Sequence, residues 1–306
     1  MRRRIVSNGA VLLLLAIAFS VAPAFYSNES VLFQMMVFLA LAQGVNILYG
    51  FTGYLPFGYV GFFGIGAYGA AVSVSLLHAP AWLAIIFGGF TALVAGGILS
   101  PLLRLSGAYF AIGSLAASQV LYYVVSNNNL QKVTNGPYGV NLAAIFNDKS
   151  SYYAMLFVLL VTTAFVAYLR MSRLGMSLVA VREDPISAGM AGINVVRTRT
   201  FVWLSTAVIA GLVGAVYAWH ISVFYPDSVF DLSISIFAIV FTLFGGGATV
   251  LGPIIGTVIL YGLYNVIGVS DPQYFQLIYG VLIMLLVLFL PNGVLSLLRR
   301  RGIDVP

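Results

Sequence analysis

From Ser30 to Leu103 the chain contains no Asp, Glu, Lys or Arg at all. Further charge-free runs cover Ile5–Asn28, Leu105–Gln131, Ser150–Leu169, Thr200–Pro226, Leu232–Ser270 and Pro272–Leu298. A soluble fold has no use for such runs, because uncharged apolar surface of this extent aggregates in water. With 61% hydrophobic and only 7% charged residues, against about 25% charged in an ordinary soluble domain, the bilayer is the solvent that fits. One spanning helix takes about 20 apolar residues, so the longest runs hold several helices each.

Turn signals divide those runs. Gly50–Pro56 (GFTGYLP) and His78-Ala79-Pro80 split the first, and Gly245–Gly247 with Gly252-Pro253 splits the run after Leu232. The result is an all-α, polytopic membrane helix bundle of about ten segments, some of them broken. They fall near 10–27, 31–49, 57–77, 81–102, 107–126, 152–169, 201–220, 232–248, 251–268 and 274–291. The stretch before Gly245 is too short to cross alone and reads as broken or re-entrant. Arg2–Arg4, a leucine-rich run and Ala22-Pro23-Ala24 also fit a signal peptide, but we read the first segment as a retained spanning helix.

With both termini in the cytoplasm, the inner loops collect twelve of the fourteen basic residues, and the outer loops keep only Lys132 and Lys149. That asymmetry obeys the positive-inside rule and accounts for the +6 net charge without a nucleic-acid partner. Cysteine is absent, and the only histidines, His78 and His220, lie far apart, which leaves no metal centre to propose.

Energy for transport has no evident source within the chain. Lys132 and Lys149 follow Gln131 and Asp148, so neither ends a phosphate-binding glycine loop. Every carboxylate sits in a loop or at a span end, whereas proton-coupled carriers place an ionisable group inside the membrane. His220, at an outer end, is the nearest approach to one, with a local hydrogen bond as its plainer role. A stand-alone carrier or channel is therefore the rival reading, and a membrane enzyme lacks any catalytic cluster.

The inner stretch 170–200 suits docking of a partner. Asp184 can cap a short helix there, Pro185 fits its first turn, and Gly192 fits its C-terminal stop. Ile186, Gly189, Met190 and Ile193 recur on one face, rimmed by Arg182, Glu183 and Asp184. A greasy edge with a charged rim fits a groove on another protein; the plainer alternative is a helix lying on lipid headgroups.

Glycines crowd Gly58, Gly61, Gly64, Gly66 and Gly69, and again Gly245, Gly246, Gly247, Gly252 and Gly256. Close helix packing explains both clusters, and so do interrupted helices lining a solute path. Thr52 and Thr249 stand near the two interruptions, giving Asn46, Thr52, Gly53, Gly58, Gly61, Gly245–Gly247, Thr249 and Gly252 as path candidates. The in-span polar residues Gln43, Asn46, Ser114, Ser118, Gln119 and Asn265 are the expected interhelical hydrogen-bonders. A path without buried charge suits a neutral or zwitterionic solute.

Six blocks, in order, resemble the branched-chain amino-acid ABC permease family. They are Gly44-Val45-Asn46-Ile47-Leu48 with Gly53–Gly58 and Phe62–Tyr68, then Leu105–Ile112 and Asn135–Gly139. Arg182-Glu183-Asp184 with Gly192-Ile193-Asn194, Gly245–Gly247 with Leu251-Gly252-Pro253, and Pro291-Asn292-Gly293 complete the set. The resemblance implies a single transmembrane permease domain over residues 1–306 in a bacterial inner membrane, with 170–200 as its coupling loop. It implies two ATP-binding cassette ATPases holding ATP and Mg, a second related permease, and an extracytoplasmic solute-binding protein. No catalytic residue and no cofactor are expected in this chain. Arg182, Glu183, Asp184, Ile186, Met190 and Gly192 become the ATPase-coupling residues. The cargo implied is a branched-chain amino acid, with urea, amides or aromatic acids as the alternative where Tyr54, Pro56, Tyr59, Asn135 and Tyr138 depart from the common pattern.

Overall fold

The computed structural model describes residues 2–26, 28–270, 280, 281, 284 and 293–295. Its helices are α1 Arg2–Phe25, α2 Glu29–Val45, α3 Tyr59–Leu77, α4 Ala81–Ile98, α5 Ala108–Val125 and α6 Gln131–Thr134. They continue as α7 Asp148–Met171, α8 Arg173–Glu183, α9 Pro185–Met190, α10 Val195–Ile221, α11 Pro226–Val229, α12 Leu232–Gly245 and α13 Leu251–Ser270. Among the described residues eight helical stretches are long and apolar enough to cross a membrane, and Leu251–Val266 is a shorter apolar one. A bilayer core offers no water to unpaired backbone groups, so helices that close their own hydrogen bonds are the expected form.

Nine of the ten expected segments coincide with helices, and segment 274–291 lies almost wholly outside the described residues. The boundaries shift where polar chemistry decides them. The seventh segment, α10, begins earlier than expected, because Asn194 accepts a hydrogen bond from the Arg197 amide at 3.0 Å and caps it there. The fourth ends at Ile98 rather than 102, since Ser100–Arg104 tightens into a 3-10 turn containing Pro101. The eighth segment, α12, stops at Gly245 rather than 248, because Gly246 turns to φ +106°. Among the described residues one pairing departs from pure helix: β1 Val140–Asn141 runs antiparallel to β2 Val223–Phe224.

The centre of the bundle is α3, α4 and α10, brought together by glycine. A Cβ on Gly66 would stand 2.3 Å from the Gly211 Cα, and one on Gly211 would stand 2.7 Å from the Gly88 carbonyl oxygen. Only hydrogen side chains permit this approach, which takes the place of hydrophobic driving force between helices in lipid. Trp203, fully buried, donates its indole N–H to the Gly96 carbonyl at 2.8 Å and ties α10 to α4. The two ends of the bundle differ in charge. Arg170, Arg173, Arg182, Arg197 and Arg199 gather at the end that carries α8 and α9; Glu29, Asp148, Asp227 and Asp231 mark the other.

Candidate functional site

Two helix interruptions face each other at the arginine-rich end. After Val45, α2 widens into a π-turn over Asn46–Gly50 and unwinds through Gly53, whose φ is +77°. Between α12 and α13 the chain breaks over Gly246–Val250, with Gly246 and Ala248 both at positive φ. Each break frees backbone groups that must find partners at membrane depth.

The break between α12 and α13 finds them in side chains of α2. Asn46, fully buried, donates to the Thr249 carbonyl at 2.7 Å and accepts from the Ala248 amide at 2.8 Å. Gln43, one turn earlier, donates to the Val250 carbonyl at 2.8 Å. Thr249 turns inward on its own break, donating to the Gly246 carbonyl at 2.8 Å and capping the Gly252 amide at 2.9 Å. The backbones touch: a Cβ on Gly50 would lie 2.4 Å from the Ala248 nitrogen, and one on Gly293 would lie 2.5 Å from the Gly246 Cα. Asn46, Gly245–Gly247, Thr249 and Gly252 therefore form one assembly. Gln43 and Asn46 hold the backbone of the break instead of standing free.

The remaining path candidates sit apart from this clasp. Gly58 packs on α5, where a Cβ would stand 1.7 Å from the Ser114 carbonyl oxygen, and Gly61 packs on Ser118. The Ser114 hydroxyl accepts the Gly58 amide at 3.2 Å and donates to Ala111. Thr52 donates back to the Leu48 carbonyl, one turn earlier. Gly53 is exposed, with Arg182 beside it.

Arg182 links the clasp to the polar stretch. Its Nη1 donates to the Gly50 carbonyl at 2.7 Å, whereas its pairing with Glu183 is a loose 3.9 Å between exposed groups, worth little. The Arg199 guanidinium lies 5.0 Å from the Tyr54 ring centroid, and Tyr54 meets Phe110 edge-on at 4.7 Å. Arginines from α8 and α10 thus cover the unwound segment after α2.

The stretch 170–200 is mostly helical. Besides α9 it holds α8, which sequence reading missed; the signal was Ser172, which accepts the Gly175 amide at 3.1 Å as its cap. In α9 the Asp184 carboxylate accepts the Ile186 amide at 2.9 Å and the Ser187 hydroxyl. Those donors hold Asp184 below the usual carboxylate range. The far end is a Schellman stop: Gly192 takes φ +84°, its amide bonds Gly189, and the Ile193 amide bonds Ala188. Ala188 turns into the bundle, while Ile186 and Met190 are 75% and 79% exposed. The apolar edge is therefore these two side chains, with Gly189 open beside them and Ile193 half-buried. Exposed Met176 and Val179 of α8 and Val196 of α10 belong to the same end of the molecule.

At the opposite end His220 is engaged locally. Its Nδ1 lies 2.9 Å from the Ser151 hydroxyl and 3.3 Å from Asp148, and its ring stacks on Phe33 at 3.6 Å. Sequence reading also missed Ser235, which accepts the Val60 amide at 2.7 Å and joins α12 to α3. The available signal was the pair Ser233 and Ser235 at the start of an otherwise apolar run.

Residues 27–287 match the family described as branched-chain amino acid transport system / permease component. The chain belongs to that permease family. The permease is 27% identical to the LivM proteins of Salmonella typhimurium and Escherichia coli, over 86% of this chain and 69% of theirs. It is 25% identical to the LivH protein of Escherichia coli, over 84% of this chain and 90% of that one. All three are described as permease proteins of a high-affinity branched-chain amino acid transport system. A multi-pass membrane protein of a transport system is what the helices and the family agree on.

Proposed function

We propose that the permease is one of two related membrane subunits of an ATP-driven importer in a bacterial inner membrane, with both termini and the stretch 170–200 in the cytoplasm. The observation that carries this reading is α9. It is a short helix fixed at both ends by its own caps, and it turns Ile186 and Met190 outward beside Arg182 and Glu183. Isolated helices of this length do not hold in water, so a helix built this carefully is suited to seat in a partner's groove. The partner is an ATP-binding cassette ATPase, one under each permease, which carries the ATP and Mg. Similarity to both LivM and LivH supports pairing with a related permease. The solute-binding protein delivers cargo at the end marked by Glu29, Asp148, Asp227 and Asp231.

Branched-chain amino acids are the cargo this reading favours, since they are what the relatives' transport system is named for. The mechanism follows the hydrogen bonds of Arg182 and Asn46. Movement of α9 with the ATPase shifts Arg182, Arg182 pulls on the Gly50 carbonyl, and the clasp between the two breaks opens or closes.

Substituting Met190→Asp tests the docking. An unpaired charge in a protein groove costs several kcal/mol, on the order of 3–5. The altered permease should insert and assemble with its related permease, while ATP hydrolysis by the whole complex no longer responds to loaded binding protein. Wild-type stimulation in that complex removes docking from α9.

A further inference from the structure

The clasp lies at one end of the bundle, and a cavity lies toward the other. Between α2, α10, α12 and Tyr264 of α13 lies a half-open cavity of about 470 Å3, within the ~300–1,000 Å3 range of small-molecule sites. Its walls divide by chemistry. Asp231 stands at the mouth, Gln34, Tyr217 and Tyr264 contribute polar groups, and Phe38 and Phe237 form an apolar wall. Among the described lining residues Asp231 is the single charge.

The arrangement has direction because Asp231 caps α12 and Phe237 lies on it. Asp231 caps that helix, accepting the Ser233 amide at 2.8 Å through one carboxylate oxygen. The second oxygen of a carboxylate has acceptor capacity of its own. Phe237 sits six residues further along, about 9 Å deeper at 1.5 Å per residue. Its ring meets Phe38 edge-on at 5.8 Å and Tyr264 at 5.4 Å, so the apolar wall is a packed aromatic surface. Asp227, the neighbouring acid, is already bonded to the Tyr122 hydroxyl at 2.6 Å and does not line the cavity.

We propose that this cavity is a receiving site for one neutral amino acid, with its ammonium on Asp231 and its apolar side chain against Phe38 and Phe237. Gln34 and Tyr217, which hydrogen-bond to each other, form the polar side of the cavity that faces the ligand carboxylate. A dianion is disfavoured by Asp231 and finds no base to pair with among the described lining residues. The inference rests on the import reading and adds to it a binding step within the permease itself, separate from the binding protein.

The test uses the assembled complex, permeases and ATPases together, in nanodiscs without the binding protein. Equilibrium dialysis with radiolabelled leucine, isoleucine and valine in turn measures the site directly. Asparagine caps helices as well as aspartate does, so Asp231→Asn keeps α12 and removes only the charge. We expect at least one of the three ligands to bind to the wild type, and Asp231→Asn to weaken it about tenfold or more. Isoamylamine should compete, and 4-methylpentanoate, which lacks the ammonium, should not. Binding of none of the three to the wild type, or equal binding to Asp231→Asn, overturns the site. Uptake by proteoliposomes with the binding protein added is followed in parallel. If uptake proceeds while the cavity binds nothing, this site is wrong and the import reading stands; if uptake is absent in the wild type, the import reading itself is wrong.

Discussion

Replacing Asn46 with alanine should separate the two helix breaks. In the structure the Asn46 amide satisfies the Thr249 carbonyl at 2.7 Å and the Ala248 amide at 2.8 Å, and its bond to Gln43 is a long 3.4 Å. Alanine leaves two backbone groups unpaired in a site where residue 46 is fully buried. In soluble proteins each such group costs ~1–3 kcal/mol. Hydrogen bonds between membrane helices measure lower, ~0.6 on average and up to ~1.7 kcal/mol, because the unfolded chain in lipid finds other partners. The Asn46 pair belongs near the upper membrane figure, because the freed groups lie at a break and have no helical turn to rejoin. Two groups then give about 2–3 kcal/mol. Titration of purified permease with SDS in mixed micelles, followed by tryptophan fluorescence, measures the loss, and solute-stimulated ATPase activity of the complex should fall with it. A stability change under ~0.5 kcal/mol together with normal coupling would refute the clasp.

Two further outcomes are expected. Gly252→Ala puts a Cβ 2.1 Å from the Gly246 carbonyl and Gly58→Ala puts one 1.7 Å from that of Ser114; each should lose ~1–3 kcal/mol and reduce uptake, while Gly262→Ala, with open space around it, should be neutral or better. In the cysteine-free background, a cysteine at Ser150 should react with an impermeant thiol reagent in intact cells, and one at Met176, which is 65% exposed, only after permeabilisation; reaction at Met176 in intact cells reverses the orientation.

Much of this molecule was legible in its residue order. Gaps between charges set the spans, because a charge in hydrocarbon is expensive enough to be confined to loops and ends. Local caps were equally readable. Asp184, Pro185 and Gly192 mark a short helix by chemistry that acts within a few residues, and α9 starts and stops where they direct. The failures at Ile98, Gly245 and Val195 came where a turn or cap competes with hydropathy, and hydropathy alone does not record which prevails.

Tertiary structure decided what the breaks do. The sequence marks two glycine-rich interruptions some two hundred residues apart, each compatible with packing or with a solute path. Only the folded chain shows that they touch, that Asn46 and Gln43 serve the backbone of the opposite break, and that Gly58 and Gly61 belong instead to the contact with α5. It likewise turns Arg182 from a rim charge into a donor to Gly50, and gathers Asp231, Phe237 and Gln34 around one cavity. The physical reason is range. Partition into lipid and helix capping are settled by a residue and its near neighbours, whereas a hydrogen bond across the bundle depends on how helices far apart in sequence are set against one another.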